Sequence, residues 1–191
     1  MAAVLKEAGA RTVLDIGCGE GKLIRRLVKE RAVERILGVD PSVRTLEVAA
    51  RRLRLDQAGD RMRERIALQM GSLTYGDRRW QGFNAATLVE VIEHVDPPRL
   101  YALERSLFGI ARPRLVIATT PNRDYSALFT GMEAGAVRHP DHRSGWTRAE
   151  FAAWLNRVAA EHGYPVRRAP LGPEDETHGP PSQMAVFEIG A

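Results

Sequence analysis

The sequence predicts a doubly wound α/β domain with a mostly parallel sheet. Three observations lead to this fold. Segments typical of strands alternate with segments of helical periodicity along the chain. The strand segments are continuous apolar runs, as expected for a parallel sheet that is covered on both faces. The first strand ends in the glycines Gly17, Gly19 and Gly21, where the chain must turn sharply into a helix.

The predicted elements follow in order along the chain. Each strand is a short run rich in β-branched residues, and each helix shows apolar residues at helical spacing or a start signal such as Pro97 and Pro98. The predicted strands are residues 12–16, 36–39, 66–70, 85–89, 114–119, 166–169 and 184–189. The predicted helices are residues 1–9, 22–31, 43–55, 97–109 and 147–162. We expect one domain over residues 1–191, the carboxy-terminal part of a longer protein.

The composition is that of an ordinary globular domain, with 44% hydrophobic and 27% charged residues. No apolar run approaches the roughly 18 residues of a membrane helix, and the amino terminus does not have the pattern of a secretory signal. The single cysteine, Cys18, excludes an internal disulfide. We therefore expect a soluble, cytoplasmic protein without a membrane partner. The net charge is +4, and almost all of the basic residues are arginines. This composition permits a nucleic-acid partner without requiring one.

The glycine segment LDIGCGEG, residues 14–21, predicts a nucleotide site. Asp40 stands 21 residues after Gly19, at the end of the second strand, where a carboxylate can accept both hydroxyls of a ribose. A dinucleotide loop would have a different glycine spacing, and Glu20 would repel a pyrophosphate. The alternative interpretation is a plain tight turn in which Asp40 caps the next helix.

This combination resembles the class I, Rossmann-like methyltransferases that use S-adenosylmethionine. The resemblance implies a seven-stranded sheet and a glycine loop that lies beneath the methionine and ribose of the cofactor. It implies cofactor contacts from these residues: Asp15, Gly17, Gly19, Asp40, Ser72 and Leu73.

The run VEVIEHV, residues 89–95, places Glu90, Glu93 and His94 at the end of the fourth strand. Open α/β sheets bind their ligands at this edge. Two neighbouring carboxylates repel each other unless a cation lies between them, so the run predicts a divalent metal site. The alternative is that Glu90 binds the cofactor or caps a turn, while Glu93 and His94 begin a solvated loop.

A second histidine-bearing segment, RHPDHRSGW at residues 138–146, can complete a set of two carboxylates and two imidazoles. Nitrogen ligands favour manganese or cobalt(II) over magnesium, and the lack of a thiolate makes zinc the weaker candidate. We expect Mn²⁺, with Mg²⁺ and Co²⁺ as alternatives.

The motifs EVIEH, TTPNRDY, RHPDHRSGWTRAEFAAW and PPSQMAVF are similar to those of the HUA-enhancer family of RNA 3′-terminal ribose 2′-O-methyltransferases. The similarity runs over about residues 1–188 and is greatest to the bacterial RNA-repair branch. It implies a catalytic metal site made by Glu90, Glu93, His94 and His142, with His139 as the second choice for the last ligand. The chain departs from the family in having RSGW after Asp141–His142 and Asn84 before the fourth strand.

The resemblance implies transfer of a methyl group to the 2′-hydroxyl of the last nucleotide of an RNA, in RNA repair, with a polynucleotide kinase-phosphatase as a partner. Arginine-rich segments supply candidate RNA contacts, although each arginine could equally be a solvated charge. These candidates are Asn122, Arg123, Arg138, His139, Arg143 and Arg148. Two alternatives remain: a metal-assisted methyltransferase for a small vicinal diol or catechol, and a non-catalytic binding module on the same scaffold.

Overall fold

The computed structural model of the protein describes residues 1–72, 77–128 and 145–190. Within these ranges seven strands form one sheet, in the order β3-β2-β1-β4-β5-β7-β6. The described strands pair in parallel except β7, which runs antiparallel to both of its neighbours. The predicted doubly wound, mostly parallel seven-stranded fold is therefore confirmed.

The strands agree closely with the sequence prediction, and the first, third and fourth have the predicted bounds. They are β1 (Thr12–Ile16), β2 (Arg35–Asp40), β3 (Ile66–Met70), β4 (Ala85–Val89), β5 (Leu115–Pro121), β6 (Val166–Leu171) and β7 (Ser182–Glu188). The described α-helices are α1 (Ala2–Glu7), α2 (Ile24–Leu27), α3 (Val43–Arg52), α4 (Asp60–Arg65), α5 (Pro97–Glu104) and α6 (Arg148–His162). Short 3₁₀ turns lie at Arg78–Trp80, Ile92–His94 and Asp124–Leu128.

Each face of the sheet is covered by a separate apolar layer. On one face the aromatic side chains of α6, among them Phe151 and Trp154, pack with Phe108 and Phe187. On the other face α1, α2 and α3 contribute Leu5, Ile24, Leu27 and Leu46. The prediction that Phe151 and Trp154 are core residues is confirmed, since both are buried. With both faces closed, the exposed part of the sheet that can hold a ligand is its strand ends.

The second helix is much shorter than the predicted residues 22–31. After α2 the backbone tightens into i→i−3 hydrogen bonds, such as that from Glu30 N to Leu27 O. The guanidinium of Arg65 donates to the carbonyls of Leu27, Val28, Glu30 and Val33. This side chain comes from α4, a helix that the sequence interpretation missed. Carbonyl groups at the end of a helix lack partners within the helix. The guanidinium of Arg65 supplies hydrogen bonds to them, and the helix can therefore end early.

The helix predicted over residues 97–109 changes character partway. Its first part, α5, begins with two prolines as expected. From Arg105 to Ala111 it continues as a π-helix, which ends at Arg112 in the left-handed conformation (φ 46°). Within the described ranges, no helix is both long and apolar enough to span a membrane.

Candidate functional site

The glycine loop after β1 is held against the end of β2. Gly17, Gly19 and Gly21 all have positive φ, at 69°, 52° and 74°. Residues other than glycine adopt such backbone angles only with strain. The amide of Gly17 donates to the carbonyl of Val39 over 2.8 Å. A Cβ on Gly17 would lie 2.6 Å from a methyl group of Val91, whereas one on Gly19 would meet no atom of the described residues within 4 Å. The loop therefore presents open space above Gly19.

Asp40, at the end of β2, supports this loop with both carboxylate oxygens. One oxygen accepts a hydrogen bond from the amide of Gly19 at 3.0 Å, and the other accepts from the amide of Ser42 at 2.9 Å. The helix that follows is capped by Ser42, whose hydroxyl accepts from the amide of Thr45, so Asp40 is not the helix cap of the alternative interpretation. Asp40 braces the turn instead, and this does not compete with ligand binding. Each carboxylate oxygen has a second lone pair, which can accept a ribose hydroxyl.

Asp15 is buried within β1, directly below the loop. The hydroxyl of Thr87 donates to its Oδ1 over 2.7 Å, while its Oδ2 has no hydrogen-bond partner among the described residues. Burial raises the pKa of Asp15 to about 7; the Thr87 hydrogen bond opposes this rise and the charge of Asp40 adds to it. Such a carboxyl group favours a cationic donor from a ligand, which would restore its charged form.

The third cofactor segment follows β3. A Cβ on Gly71 would lie 2.8 Å from Val39, so the chain passes close over the end of β2 here. Ser72 follows in an exposed position, and Leu73 lies outside the described residues. The predicted cofactor residues that are described thus lie in or just after the carboxyl ends of β1, β2 and β3.

Glu90, the residue after β4, has a left-handed backbone with φ 54°. This conformation costs a residue other than glycine about 1–2 kcal/mol, and such strain concentrates at functional sites. The amide of Glu90 donates to both the carbonyl oxygen (3.1 Å) and the hydroxyl oxygen (3.2 Å) of Thr119 on β5. The neighbouring strand therefore holds the strained residue in place.

Glu93 lies in the 3₁₀ turn that follows and is only 1% exposed. The hydroxyl of Thr120 donates to its Oε2 at 3.1 Å, and its Oε1 is buried without a hydrogen-bond partner in the described part of the chain. Burial raises the pKa of Glu93 to about 8, partly opposed by a backbone hydrogen bond; the charge of Glu90 raises it further and the Thr120 bond lowers it. A buried acidic group with one unsatisfied oxygen beside a second carboxylate suits a divalent cation.

His94 ends the same turn and is exposed. Among the described residues, no three histidine, cysteine, aspartate or glutamate side chains are arranged to hold a metal ion. The structure thus does not draw Glu90, Glu93 and His94 into one ligand group. His139 and His142 lie outside the described residues, as do Arg138 and Arg143. The four-ligand set stays a prediction. It is supported by the unpartnered Oε1 of Glu93 and by the nearby carboxylate residue Glu90.

Asn122 has a different role from the predicted RNA contact. Its side chain is 0% exposed, and its amide donates to the carbonyls of His178 (2.7 Å) and Pro180 (2.8 Å). Its side-chain oxygen accepts from the amide of Asp124 at 3.0 Å. Both amide hydrogens are used, so the described geometry leaves none to donate to an RNA. Asn122 instead fastens the loop between β6 and β7 to the end of β5.

The two described arginine candidates are partly exposed but already engaged. Arg123 lies 3.6 Å from a carboxylate oxygen of Glu150, and its side chain packs over Gly145. Arg148 bonds to a carboxylate oxygen of Asp124 at 3.3 Å and to the carbonyl of Thr177 at 2.6 Å. Both retain an exposed surface that a phosphate can approach.

The sequence interpretation missed the hydroxyl groups that hold the buried carboxylates. Thr87 donates to the carboxylate of Asp15 and Thr120 to that of Glu93, while the hydroxyl of Thr119 accepts from the backbone amide of Glu90. The available signal was the presence of polar residues inside otherwise apolar strand segments. A buried hydroxyl must find a partner, so threonine within such a strand indicates a polar group nearby.

Comparison with known proteins shows the family to which the chain belongs. Residues 1–161 match the methyltransferase domain family. The crystal structure of the methyltransferase domain of bacterial CtHen1-C is 46% identical, with a TM-score of 0.91, over 100% of this chain and 95% of that one. That of bacterial CtHen1-CN is 44% identical, with a TM-score of 0.89, over 98% and 94% of the two chains.

A curated relative from Rattus norvegicus, named small RNA 2′-O-methyltransferase, is 31% identical over 185 residues. The match covers 93% of this chain and 46% of the rat protein, so the chain spans about half the length of such curated relatives. The domain-length matches to the bacterial structures are higher in identity than this one. The chain therefore belongs to the methyltransferase domain family and, within it, to the Hen1 group, which confirms the resemblance to the HUA-enhancer family.

Proposed function

We propose that this protein transfers the methyl group of S-adenosylmethionine to the 2′-hydroxyl of the last nucleotide of an RNA, with the help of a divalent cation. The observation that carries the proposal is the buried carboxyl group of Glu93, whose Oε1 has no partner among the described residues, beside the strained Glu90. Both lie at the same sheet edge as the glycine loop. The rat relative is named for 2′-O-methylation of small RNA, and this supports the same reaction here.

The cofactor half of the site is built by the loops after β1 and β2. Asp40 accepts the ribose hydroxyls with the lone pairs that Gly19 and Ser42 leave open. Asp15, with its unpartnered oxygen, accepts from the ammonium group of the methionine portion. The open space above Gly19 lets the cofactor lie against the backbone.

The acceptor half is built by Glu90, Glu93, His94 and His142, which together would hold Mn²⁺, or Mg²⁺ or Co²⁺ in its place. A bound divalent cation makes a ribose hydroxyl more acidic and fixes its position. Glu90 and Glu93 would thereby set the 2′-oxygen in line with the methyl group, at the distance that favours attack. Only the 3′ end of an RNA has two free neighbouring hydroxyls, which explains why the terminus would be selected.

The rest of the RNA would be held mainly through its phosphates, because an enzyme that acts on varied ends reads little sequence. Arg123, Arg138, His139 and Arg143 remain the candidate contacts, with Arg148 beside Arg123. A role in RNA repair, a polynucleotide kinase-phosphatase partner and a longer parent protein stay predictions.

Matched substrates test the proposal directly. Transfer of labelled methyl from S-adenosylmethionine is measured for RNAs of one sequence that end in two free hydroxyls, in a 3′-phosphate or in a 2′-deoxyribose. A free vicinal diol of catechol type is included, and each assay is run with Mn²⁺ and with a chelator. We expect label on the first RNA alone, and only with the metal.

Other outcomes distinguish the alternatives. Equal labelling of the 3′-phosphate RNA would end the claim for the terminus, and preferential labelling of the catechol would favour the small-molecule enzyme. Full activity in chelator would remove the metal from the proposal. The variants H142A and H139A then decide the fourth ligand, because we expect loss of metal-dependent transfer for His142→Ala alone.

A further inference from the structure

Two consecutive threonines at the end of β5 contact the two carboxylate residues of the acceptor half. Thr119 and Thr120 are fully buried, although each carries a polar hydroxyl. Successive residues of a strand point to opposite faces, so one threonine cannot take over the contacts of the other. Thr119 contacts the backbone of Glu90, whereas Thr120 contacts the side chain of Glu93.

Thr119 acts on the backbone. Its carbonyl oxygen and its hydroxyl oxygen both accept from the amide of Glu90, at 3.1 and 3.2 Å. Because Glu90 has a left-handed backbone, this double anchor holds it in a conformation that a free chain would avoid.

Thr120 acts on the side chain. Its hydroxyl lies 3.1 Å from Oε2 of Glu93 and donates to it. The terminal torsion of a glutamate is broad, so a carboxylate without partners does not have a fixed orientation. The hydrogen bond occupies Oε2 and leaves Oε1 as the oxygen without a partner in the described part of the chain.

We propose that Thr120 is a positioning residue, which turns Oε1 of Glu93 toward the divalent cation of the acceptor half. The inference rests on the proposed function, since it presumes that a cation binds there. Thr120 would not touch the cation or the RNA. It would act as residues behind metal ligands generally do, by fixing the orientation of the ligand group.

A merely structural role gives a different expectation. If the hydroxyl of Thr120 only satisfies its own need for a partner, replacing it with a methyl group of similar shape changes stability at most. A positioning role requires that the same replacement weaken cation binding while the fold and the cofactor site remain intact.

The test measures Mn²⁺ binding to the purified protein by electron paramagnetic resonance, without RNA and without turnover. Thr120→Val removes the hydroxyl and keeps the shape, and Thr120→Ser keeps the hydroxyl. We expect Thr120→Val to weaken Mn²⁺ binding by about tenfold, the lower end of the range for such groups, and Thr120→Ser to retain most of the affinity.

Thr87→Val provides the matched control. Thr87 is also a buried strand threonine that donates to a carboxylate, but it serves Asp15 on the cofactor half. We expect unchanged Mn²⁺ binding in this variant. Thermal unfolding reports on the fold of every variant, and binding of S-adenosylmethionine reports on the cofactor half of the Thr120 variants. If Thr120→Val does not fold, comparing Thr120→Ser with Thr120→Ala isolates the hydroxyl.

The outcomes separate the two proposals. If Glu93→Gln abolishes Mn²⁺ binding but Thr120→Val binds like the parent protein, the positioning role is wrong and the metal site stands. If the parent protein and Glu93→Gln bind Mn²⁺ equally, the metal site itself is wrong. A loss of cofactor affinity in Thr120→Val equal to its loss of Mn²⁺ affinity would indicate general damage and overturn the inference.

Discussion

Asp40 and Glu93 are acidic residues on either side of β1, yet their carboxyl groups have different hydrogen-bond partners. Asp40 is held by two backbone amides, one on each carboxylate oxygen. Glu93 is more deeply buried; Thr120 donates a side-chain hydrogen bond to its Oε2, and its Oε1 is unpartnered among the described residues. The cofactor half is thus organised by the backbone itself, whereas the acceptor half has a polar deficit that a bound group can fill.

Neutralising Glu93 should give the largest effect. Glu93→Gln keeps the shape but removes a charged ligand atom, so we expect methyl transfer to RNA ends to fall by about a hundredfold or more. Stability without metal should not fall near pH 7, because the raised pKa of about 8 leaves Glu93 largely protonated there and the neutral amide replaces a neutral carboxyl group. The rate at saturating cofactor and Mn²⁺ checks the first expectation, and urea unfolding checks the second.

Glu104 offers a matched control for that experiment. It is equally buried, but Trp154 and Arg157 satisfy both of its carboxylate oxygens, at 2.7–2.8 Å. Glu104→Gln should therefore lower stability by about 1–3 kcal/mol while leaving the affinity for Mn²⁺ unchanged. The opposite ranking of the two variants in stability would contradict the contrast between satisfied and unsatisfied carboxylates.

Removing Asp40 should affect the other half. Asp40→Ala takes away the acceptor for the ribose hydroxyls and the anchor for the glycine loop, so we expect cofactor affinity to fall by roughly 10- to 100-fold. Calorimetric titration with S-adenosylmethionine measures the change. Mn²⁺ binding in the same variant should match the parent protein, and a parallel loss would show that the two halves are not independent.

The pH dependence of stability should reveal Asp15. Its pKa is raised to about 7 by burial, whereas an aspartate in an unfolded chain titrates near about 3.9. Between about pH 4 and 7 the folded protein keeps a proton on Asp15 that the unfolded chain has released. The free energy of unfolding therefore falls as the pH rises through this range. Above about pH 7 the full destabilisation by this group is present. Asp15→Asn should remove this part of the decline, and urea unfolding at several pH values measures it. If the free energy of unfolding fell equally steeply with pH in the variant and in the parent protein, the prediction would be wrong.

Backbone strain at Glu90 should give the smallest effect. Glycine adopts positive φ without penalty, so Glu90→Gly should be about 1 kcal/mol more stable than Glu90→Ala. The two variants lack the same carboxylate, and their difference in urea unfolding therefore reports the backbone alone. Alanine equal to or better than glycine at this position would mean that the backbone is not strained.

The fold could be predicted because it follows from local patterns. The apolar strand runs, the glycine loop and the proline start of α5 are signals within a few residues, and each has the expected place in the structure. Helix α2 was overestimated because its end is set by Arg65, a side chain from a distant helix. Such a long-range hydrogen bond leaves no trace in the periodicity of residues 22–31.

The candidate site could be predicted only in part, for a similar reason. Residue type and position marked Asp40, Glu90 and Glu93, because acidic groups at the carboxyl ends of strands are conspicuous. The role of Asn122 was not predictable, since its partners belong to the loop before β7, more than fifty residues away. Partners of buried polar groups depend on packing between distant segments, which the sequence pattern does not encode locally.

The most direct test of the central claim is a crystal structure of the protein with Mn²⁺, with the anomalous scattering of manganese used to locate the ion. We expect a peak beside Oε1 of Glu93, shared with Glu90, His94 and a histidine of residues 138–146. An anomalous map without a peak at these side chains, under conditions that support methyl transfer to RNA, would contradict it.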